Sequence, residues 1–240
     1  GQGASIKLFV DKAYNIYTVE VAPNDFRLGL MSYHKSIIAA RENISNEAIE
    51  YLMGALTAFK APAGESIGDL ERTVRTRLIA AYENTSQRDA ATEHVLVLAA
   101  DREFSSTASA IFIREAVFPQ AVLEQKLGGS VKLAFTIDEQ GYVVDPAILA
   151  SDNQQLNQPA LTMIKGSRYL PRLVDGQPLA TPGIEFNANF EPPTVVAAGR
   201  KNRFQRPGIR GMMNSDRNDL SECSDPNSTL PQCQTAFGGK

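Results

Sequence analysis

The chain has 240 residues and a formal net charge of −3, with 43% hydrophobic and 21% charged residues. This composition is typical of a soluble globular protein, and so small a net charge argues against a protein that binds nucleic acid through overall charge. No apolar run approaches the roughly 18 residues that a membrane span needs. The chain begins Gly1-Gln2-Gly3, and whether a signal peptide or a membrane anchor has been removed stays open.

The first segment, residues 1–24, is predicted to form strands. Its central part, SIKLFVDKAYNIYTVEV (5–21), alternates apolar and polar residues and is rich in β-branched and aromatic side chains. Ile6, Leu8 and Val10 would share one face of a strand. The pattern predicts two short strands, which could form a hairpin.

The second segment, residues 25–104, changes to the period of a helix. Four amphipathic helices with short polar loops between them are predicted, and such helices form antiparallel hairpins. Their apolar faces are predicted as Phe26, Leu30, Tyr33 and Ile37 in the first helix; Ile49, Leu52, Met53, Leu56 and Phe59 in the second; Leu70, Val74, Leu78 and Tyr82 in the third; and Ala91, Val95, Leu98 and Ala99 in the fourth.

The third and fourth of these helices resemble a tetratricopeptide repeat. Leu78 and Tyr82 are followed by Ala91, a small residue where the two helices of such a repeat cross closely. Two hairpins are fewer than the three or so repeats that a solenoid usually needs, so an ordinary stack of helical hairpins remains an alternative. Both interpretations predict packing and a partner surface rather than catalysis.

The third segment, residues 116–192, has an α+β pattern. Val131, Leu133, Phe135 and Ile137 alternate along a strand at 130–138. A turn closed by Gly141 leads to a strand at 142–150. Pro146 lacks a backbone donor, so this second strand should be at an edge or bulged.

A helix and a further strand follow in this segment. The helix spans residues 152–167, has Leu156, Ala160, Met163 and Ile164 on its inner face, and ends at Gly166 as C-cap. The last strand is predicted at 184–191. Two turns, Asp175-Gly176 and Pro182-Gly183, should fix its register.

Residues 116–192 resemble the C-terminal domain of the TonB family of periplasmic energy-transducing proteins. The resemblance rests on motifs that occur in the family's order. They are Phe118-Pro119, Gly129, the strand Val131–Ile137, Gly141, Tyr169-Leu170-Pro171 with Leu170 where the family usually has Phe, and Asp175-Gly176-Gln177-Pro178. About a third of the chain is covered, and the ordered set is more specific than any single motif.

The resemblance implies a three-stranded antiparallel sheet with one covering helix, and a function in the periplasm. In the family, the last strand receives a short N-terminal box of an outer-membrane transporter. Carried to this sequence, the implied partner-binding strand is Ile184, Glu185, Phe186, Asn187, Ala188, Asn189 and Phe190. Strand addition suits such a small sheet because its edge leaves backbone groups unpaired. Solvent-facing strand residues without a binding role are the alternative interpretation.

The sequence also departs from the familiar members of the family. These carry an N-terminal membrane helix and a long proline-rich spacer, whereas helical hairpins occupy the place of the spacer here. If an anchor was removed, inner-membrane motor components would be further partners. Otherwise the chain would bind envelope proteins without transducing energy, or serve as a periplasmic scaffold that binds through its helices. A homodimer stays open.

The last segment, residues 193–240, is polar and predicted to be disordered. Five cations lie at 199–210, and they could make a weak contact with an anionic surface or be simply solvated. Cys223 and Cys233 could form a local disulfide or remain two thiols.

The sequence shows no motif of a catalytic, cofactor or metal site. It contains no Gly-x-Ser-x-Gly elbow, no phosphate-binding glycine loop and no His-Glu-x-x-His. His34 and His94 are interpreted as ordinary helix residues. A protein that binds other proteins, with no enzymatic activity and no cofactor, is therefore expected.

Overall fold

The computed structural model describes residues 2–62, 64–66, 68–101, 109–118, 122, 124 and 128–191, with side chains from residue 5 onward. Helices precede strands, as the α+β prediction requires. The helices are α1 (Gln2–Glu20), α2 (Phe26–Arg41), α3 (Ser45–Phe59), α4 (Asp69–Asn84), α5 (Arg88–Ala100) and α6 (Asn157–Lys165). The strands are β1 (Ala110–Phe112), β2 (Gly129–Ile137), β3 (Val143–Ser151), β4 (Arg168–Tyr169), β5 (Arg172–Val174), β6 (Gln177–Leu179) and β7 (Thr181–Phe190).

The prediction of strands in residues 1–24 is wrong, because α1 is a continuous helix. Tyr14 packs edge-on against Tyr51 of α3 at 5.4 Å between ring centroids, and Asp11 accepts a hydrogen bond from Lys35 of α2 at 2.6 Å. Asp11 and Tyr14 are three positions apart, which places both side chains on one helix face. The alternation of Ile6, Leu8 and Val10 extends over too few residues to outweigh these contacts.

Small residues form the buried face of α2. Gly29, Ser32, Ser36 and Ala39 are buried, whereas Phe26 is 56% exposed. A Cβ atom at Gly29 would lie only 2.4 Å from Cβ of Ala58, so α2 and α3 approach closely there. Of the predicted apolar face, Leu30, Tyr33 and Ile37 are half-buried, and Tyr33 packs against the core of the helical region. The prediction is thus correct in part, because hydrophobic periodicity weighs bulk and misses the fully buried seam of small residues.

Helices α3, α4 and α5 enclose the core of the helical region, and most of their predicted inner residues are buried. Ile49 and Phe59 are only half-buried, and Met53 and Leu70 are exposed, with 43% and 37% exposure. The buried residues that were predicted are Leu52, Leu56, Val74, Leu78, Tyr82, Ala91, Val95, Leu98 and Ala99. Pairs of successive helices pack against each other. A tetratricopeptide-like repeat stays a prediction.

The predicted three-stranded antiparallel sheet and its covering helix are confirmed. The strand order is β3-β2-β7, and α6 packs on this sheet. The core between them contains the predicted alternating residues of β2 and the predicted inner residues of α6. The core residues are Val122, Val131, Leu133, Phe135, Ile137, Val143, Leu156, Ala160, Met163, Ile164, Tyr169, Phe186, Ala188 and Phe190.

Asp175-Gly176 is a turn, as predicted. Both residues have positive φ, 51° and 78°, and they join β5 to β6 in a two-residue hairpin. The predicted turn at Pro182-Gly183 is wrong, because both residues lie within β7. The register of β7 with β2 shifts in this part of the strand, so the pair forms an irregularity at the strand's start rather than a reversal.

Gly166 is the C-cap of α6, as predicted, but it does not have the left-handed conformation that usually selects glycine there. Its φ is −84°. A Cβ atom would instead lie 2.2 Å from Cδ of Arg114, so the glycine leaves room for this side chain. Among the described residues, no helix combines the length and hydropathy that a membrane span requires.

Candidate functional site

The sheet has two edges, and they differ in their ability to accept another strand. β3 forms one edge, and its pairing with β2 is interrupted by two register shifts. The shift between Ala134 and Thr136 opposes Asp145, whose φ is 50°, and Pro146, which has no N–H. Pro146 is thus both at an edge and bulged, as predicted. These features obstruct regular pairing along β3.

β7 forms the other edge and is regular over the predicted binding strand. Residues 184–190 pair with residues 129–135 of β2 in a single register. No described strand pairs with the outer side of β7. Between residues 184 and 188, the backbone N–H and C=O groups of alternate residues on this side therefore have no described strand as partner and can pair with an added strand.

The side chains of β7 alternate between the core and the solvent. Phe186, Ala188 and Phe190 are buried, and Ile184 is half-buried against the core. Phe190 packs edge-on against Phe118 at 5.5 Å between ring centroids. This inner face fixes the strand in one register, because a slip of one residue would expose all of these side chains.

The solvent face of β7 contains Glu185, Asn187 and Asn189, all exposed. Glu185 forms an ion pair of 2.8 Å with Lys132 of β2. Asn187 accepts a hydrogen bond of 2.7 Å from the hydroxyl of Ser130. A strand added to β7 would place its own side chains beside this polar row, since cross-strand neighbours on one face are in contact.

The motif residues of the resemblance surround this strand. Gly129 begins β2 opposite Phe190, and Gly141 has a φ of 87° and closes the turn between β2 and β3. Tyr169 is buried against Phe135, and burial raises the pKa of its phenol. Pro171 is buried after β4, and Pro178 lies in β6. Pro119 and the cysteines Cys223 and Cys233 lie outside the described residues, as does the basic segment 199–210.

A buried ion cluster joins the helical region to the sheet region. Glu83, near the end of α4, and Arg168 of β4 are both fully buried, with 3.3 Å between Oε1 and Nη1. Arg88 donates to Oε2 of Glu83 at 2.9 Å, and Arg114 donates to its backbone oxygen, also at 2.9 Å. Residues from α4, α5, β4 and the segment after β1 thus meet at one carboxylate.

Tyr142 completes this junction. The guanidinium carbons of Arg168 and Arg88 lie 3.7 Å and 4.5 Å from the centroid of its ring. Arg168 also donates to the hydroxyl of Thr92 at 2.7 Å and to the backbone oxygen of Gln140 at 3.2 Å. These contacts surround the buried guanidinium of Arg168 and hold the turn before β3 against α5.

Tyr169 and Leu170 extend the junction in opposite directions. Tyr169 belongs to the core under the sheet, whereas Leu170 belongs to the core of the helical region. Successive side chains of an extended chain point to opposite sides, so this dipeptide bridges the two cores. Leu170 is the residue that departs from the family's usual Phe.

The residues of the junction were not predicted from the sequence. Glu83, Arg88, Arg114 and Arg168 are charged side chains without a spacing that marks them as a cluster. Charged residues are ordinarily exposed, and only the docking of two regions buries Glu83 and Arg168 and partly covers Arg88 and Arg114. Within the described part of the chain, no group of three or more His, Cys, Asp or Glu side chains is arranged to hold a metal ion.

The fold and this strand define a small α+β domain with one regular open edge, preceded by packed helices. Residues 114–192 match the family model of the Gram-negative bacterial TonB protein C-terminal domain. These residues of the chain therefore belong to the family of TonB C-terminal domains, and the chain is TonB-like.

Two solved structures are similar to part of the chain. The solution NMR structure of the TonB C-terminal domain of Pseudomonas aeruginosa is 20% identical, covers 38% of this chain and 93% of its own, and has a TM-score of 0.33. The TonB2 protein of Vibrio anguillarum is 31% identical, covers 32% of this chain and 74% of its own, and has a TM-score of 0.27. No curated protein matches the chain.

Proposed function

We propose that this chain is a periplasmic TonB-like protein that binds an extended segment of an outer-membrane transporter, or of another envelope protein, at the outer edge of β7. In this role it supports energy-dependent transport across the outer membrane. The observation that carries the proposal is the asymmetry of the sheet, whose β7 edge is regular and open while its β3 edge is bulged and contains Pro146.

The added segment would form main-chain hydrogen bonds with residues 184–190. Such bonds give affinity with little sequence selectivity, and selectivity comes from side chains that alternate along the added strand. Glu185 and Asn187 border the added strand on the solvent face, and their partners Lys132 and Ser130 hold them in place. A ligand with polar residues on this face fits best.

The proposal can be tested by NMR titration of the ¹⁵N-labelled chain with a synthetic peptide that spans the N-terminal periplasmic segment of an outer-membrane transporter. We expect the amide resonances of residues 184–190 to shift, while those of residues 147–151 on β3 stay in place. Shifts confined to β3, or no shift with a panel of such peptides, would contradict strand addition at β7.

A matched pair of variants sharpens this test. Asn187→Lys places a charge beside the proposed ligand, and edge lysines oppose strand pairing. Ala147→Lys places the same charge at an exposed position of the β3 edge, opposite Ala134 of β2. Calorimetric titration should show weaker peptide binding for Asn187→Lys and unchanged binding for Ala147→Lys.

A periplasmic scaffold that binds through its helices is the second candidate. It would use a shallow, open depression along α4, lined by Asp69, Arg72, Thr73, Thr76 and Arg77. Arg77 is held there by a hydrogen bond of 3.0 Å to the hydroxyl of Tyr33. If this depression binds the partner, Thr73→Arg should abolish capture of an envelope partner that Asn187→Lys leaves unaffected.

A further inference from the structure

Helix α1 exposes an apolar stripe that nothing described in the chain covers. Ile6, Phe9 and Ile16 are 61%, 72% and 50% exposed, and Ala13 lies between them. Their spacing of three, four and three residues places these four side chains along one line of the helix. This alternation of three and four residues is typical of the contact face of a helix that pairs with another helix.

The side of α1 away from the stripe is already occupied. Tyr14 packs on Tyr51, and Asp11 pairs with Lys35. These contacts hold α1 against α2 and α3. The stripe therefore cannot turn inward without breaking them.

In a stack of helices each element buries apolar surface on its neighbours. Here one face of α1 exposes two isoleucines and a phenylalanine instead. The spacing of these residues indicates that the surface that covers them is a helix.

We propose that this neighbour is α1 of a second copy of the chain, packed antiparallel about a two-fold axis. The stripe is complementary to itself in this orientation. With the axis midway between Phe9 and Ala13, Phe9 faces Ala13 of the partner subunit, and Ile6 faces Ile16 of the partner subunit. A large side chain thus meets a small one on either side of the axis, which satisfies close packing without a cavity. A two-fold contact of this kind closes on itself.

The size of the contact sets its strength. A single pair of helices of this length lies toward the lower end of the roughly 1,200–2,000 Å² that specific interfaces bury. The dimer should therefore form reversibly at micromolar to millimolar concentrations, and β7 takes no part in the proposed contact.

Sedimentation equilibrium of the full chain under reducing conditions tests the proposal, since Cys223 and Cys233 then cannot link two molecules. We expect a monomer–dimer equilibrium. Phe9→Glu should weaken association by about tenfold or more, because it places a charge in the centre of the seam. Leu8→Glu is the matched control, since Leu8 is 54% exposed but lies off the stripe. It should change the dissociation constant by less than about twofold.

Circular dichroism and thermal unfolding of both variants establish that each remains folded. A wild-type chain that stays monomeric throughout would overturn the proposal, as would equal weakening by Phe9→Glu and Leu8→Glu. Monomeric chain that floats with anionic phospholipid vesicles in a Phe9-dependent manner would also overturn it, since the stripe would then belong to a lipid surface.

Discussion

Glu83 and Arg168 meet at 3.3 Å with neither side chain exposed to solvent, and they join α4 to β4. A buried ion pair adds little stability over an apolar pair of the same shape, but breaking it leaves a buried charge without its partner. The cluster around Glu83 therefore acts mainly to specify how the helical region sits on the sheet region.

The first prediction concerns this pair. Glu83→Gln should lower the free energy of unfolding by about 3–5 kcal/mol, because Arg168 keeps its charge and loses the carboxylate. Denaturation in urea measures the loss. Glu185→Gln removes a carboxylate from the exposed pair with Lys132 and should cost less than about 1 kcal/mol. Equal effects of the two substitutions would contradict the role of burial. In the double variant Glu83→Gln/Arg168→Met, part of the loss should be recovered.

The second prediction compares two glycines in turns. Gly141 and Gly176 both have positive φ, at 87° and 78°. A Cβ atom at Gly141 would lie 2.1 Å from the backbone oxygen of Tyr169, whereas nothing lies within 4 Å of one at Gly176. Gly176→Ala should cost about 1–2 kcal/mol from backbone strain alone. Gly141→Ala has the same backbone strain and must also displace the backbone of β4 at Tyr169. Its midpoint of thermal unfolding should therefore be well below that of Gly176→Ala.

The third prediction uses two glycines within helices. A Cβ atom at Gly54 of α3 would make only an ordinary contact with Ser32, at 3.4 Å, whereas one at Gly29 would collide with Ala58. Gly54→Ala should raise the free energy of unfolding by about 0.5–1 kcal/mol, because alanine favours the helix. Gly29→Ala should lower it, since α2 and α3 must separate. If both substitutions stabilised the chain, the contact between α2 and α3 at Gly29 would be loose, which would contradict this prediction.

The fourth prediction concerns pH. His94 is buried and stacked on Tyr82, and its Nδ1 lies 3.0 Å from Nη1 of Arg75. Burial, reinforced by the charge of Arg75 and opposed by Glu93, lowers the pKa of His94 from 6.5 to about 4. The unfolded chain therefore takes up a proton between these values that the folded chain does not. Stability from this group is complete above pH 6.5 and is lost as the pH falls toward 4.

Between pH 6.5 and pH 4 the free energy of unfolding should fall by up to about 3 kcal/mol because of His94. Urea denaturation at a series of pH values between 4 and 7 measures it. His94→Gln keeps a neutral polar side chain beside Arg75, and it should flatten the dependence in this interval. A slope that His94→Gln leaves unchanged would assign the effect to other groups.

The sheet region could be predicted from the sequence because its alternation, turns and helix agree with each other. Val131, Leu133, Phe135 and Ile137 are all buried, and Pro146 is at the edge and the bulge that it indicated. The local sequence pattern and the tertiary packing require the same conformation in this region, so the pattern alone was enough to predict the fold.

The helical region was predicted less completely, for physical reasons that differ between its elements. In α1 the local alternation of apolar and polar residues favoured a strand, but the contacts of Asp11 and Tyr14 with other helices stabilise a helix. In α2 the buried seam consists of small residues, which hydrophobic periodicity does not weigh. At the junction, Glu83 and Arg168 are buried only because two regions dock, and no local pattern encodes that docking.

Pro146 also has a consequence for assembly. If copies of the chain joined β7 of one to β3 of the next, the contact would be head-to-tail and could repeat without end into a fibre. The missing N–H of Pro146 and the bulges around it disfavour regular pairing of β7 with β3 of another copy. Pairing of β7 with β7 would instead close after one step, so the edge at β7 can bind a ligand with less tendency to form a filament.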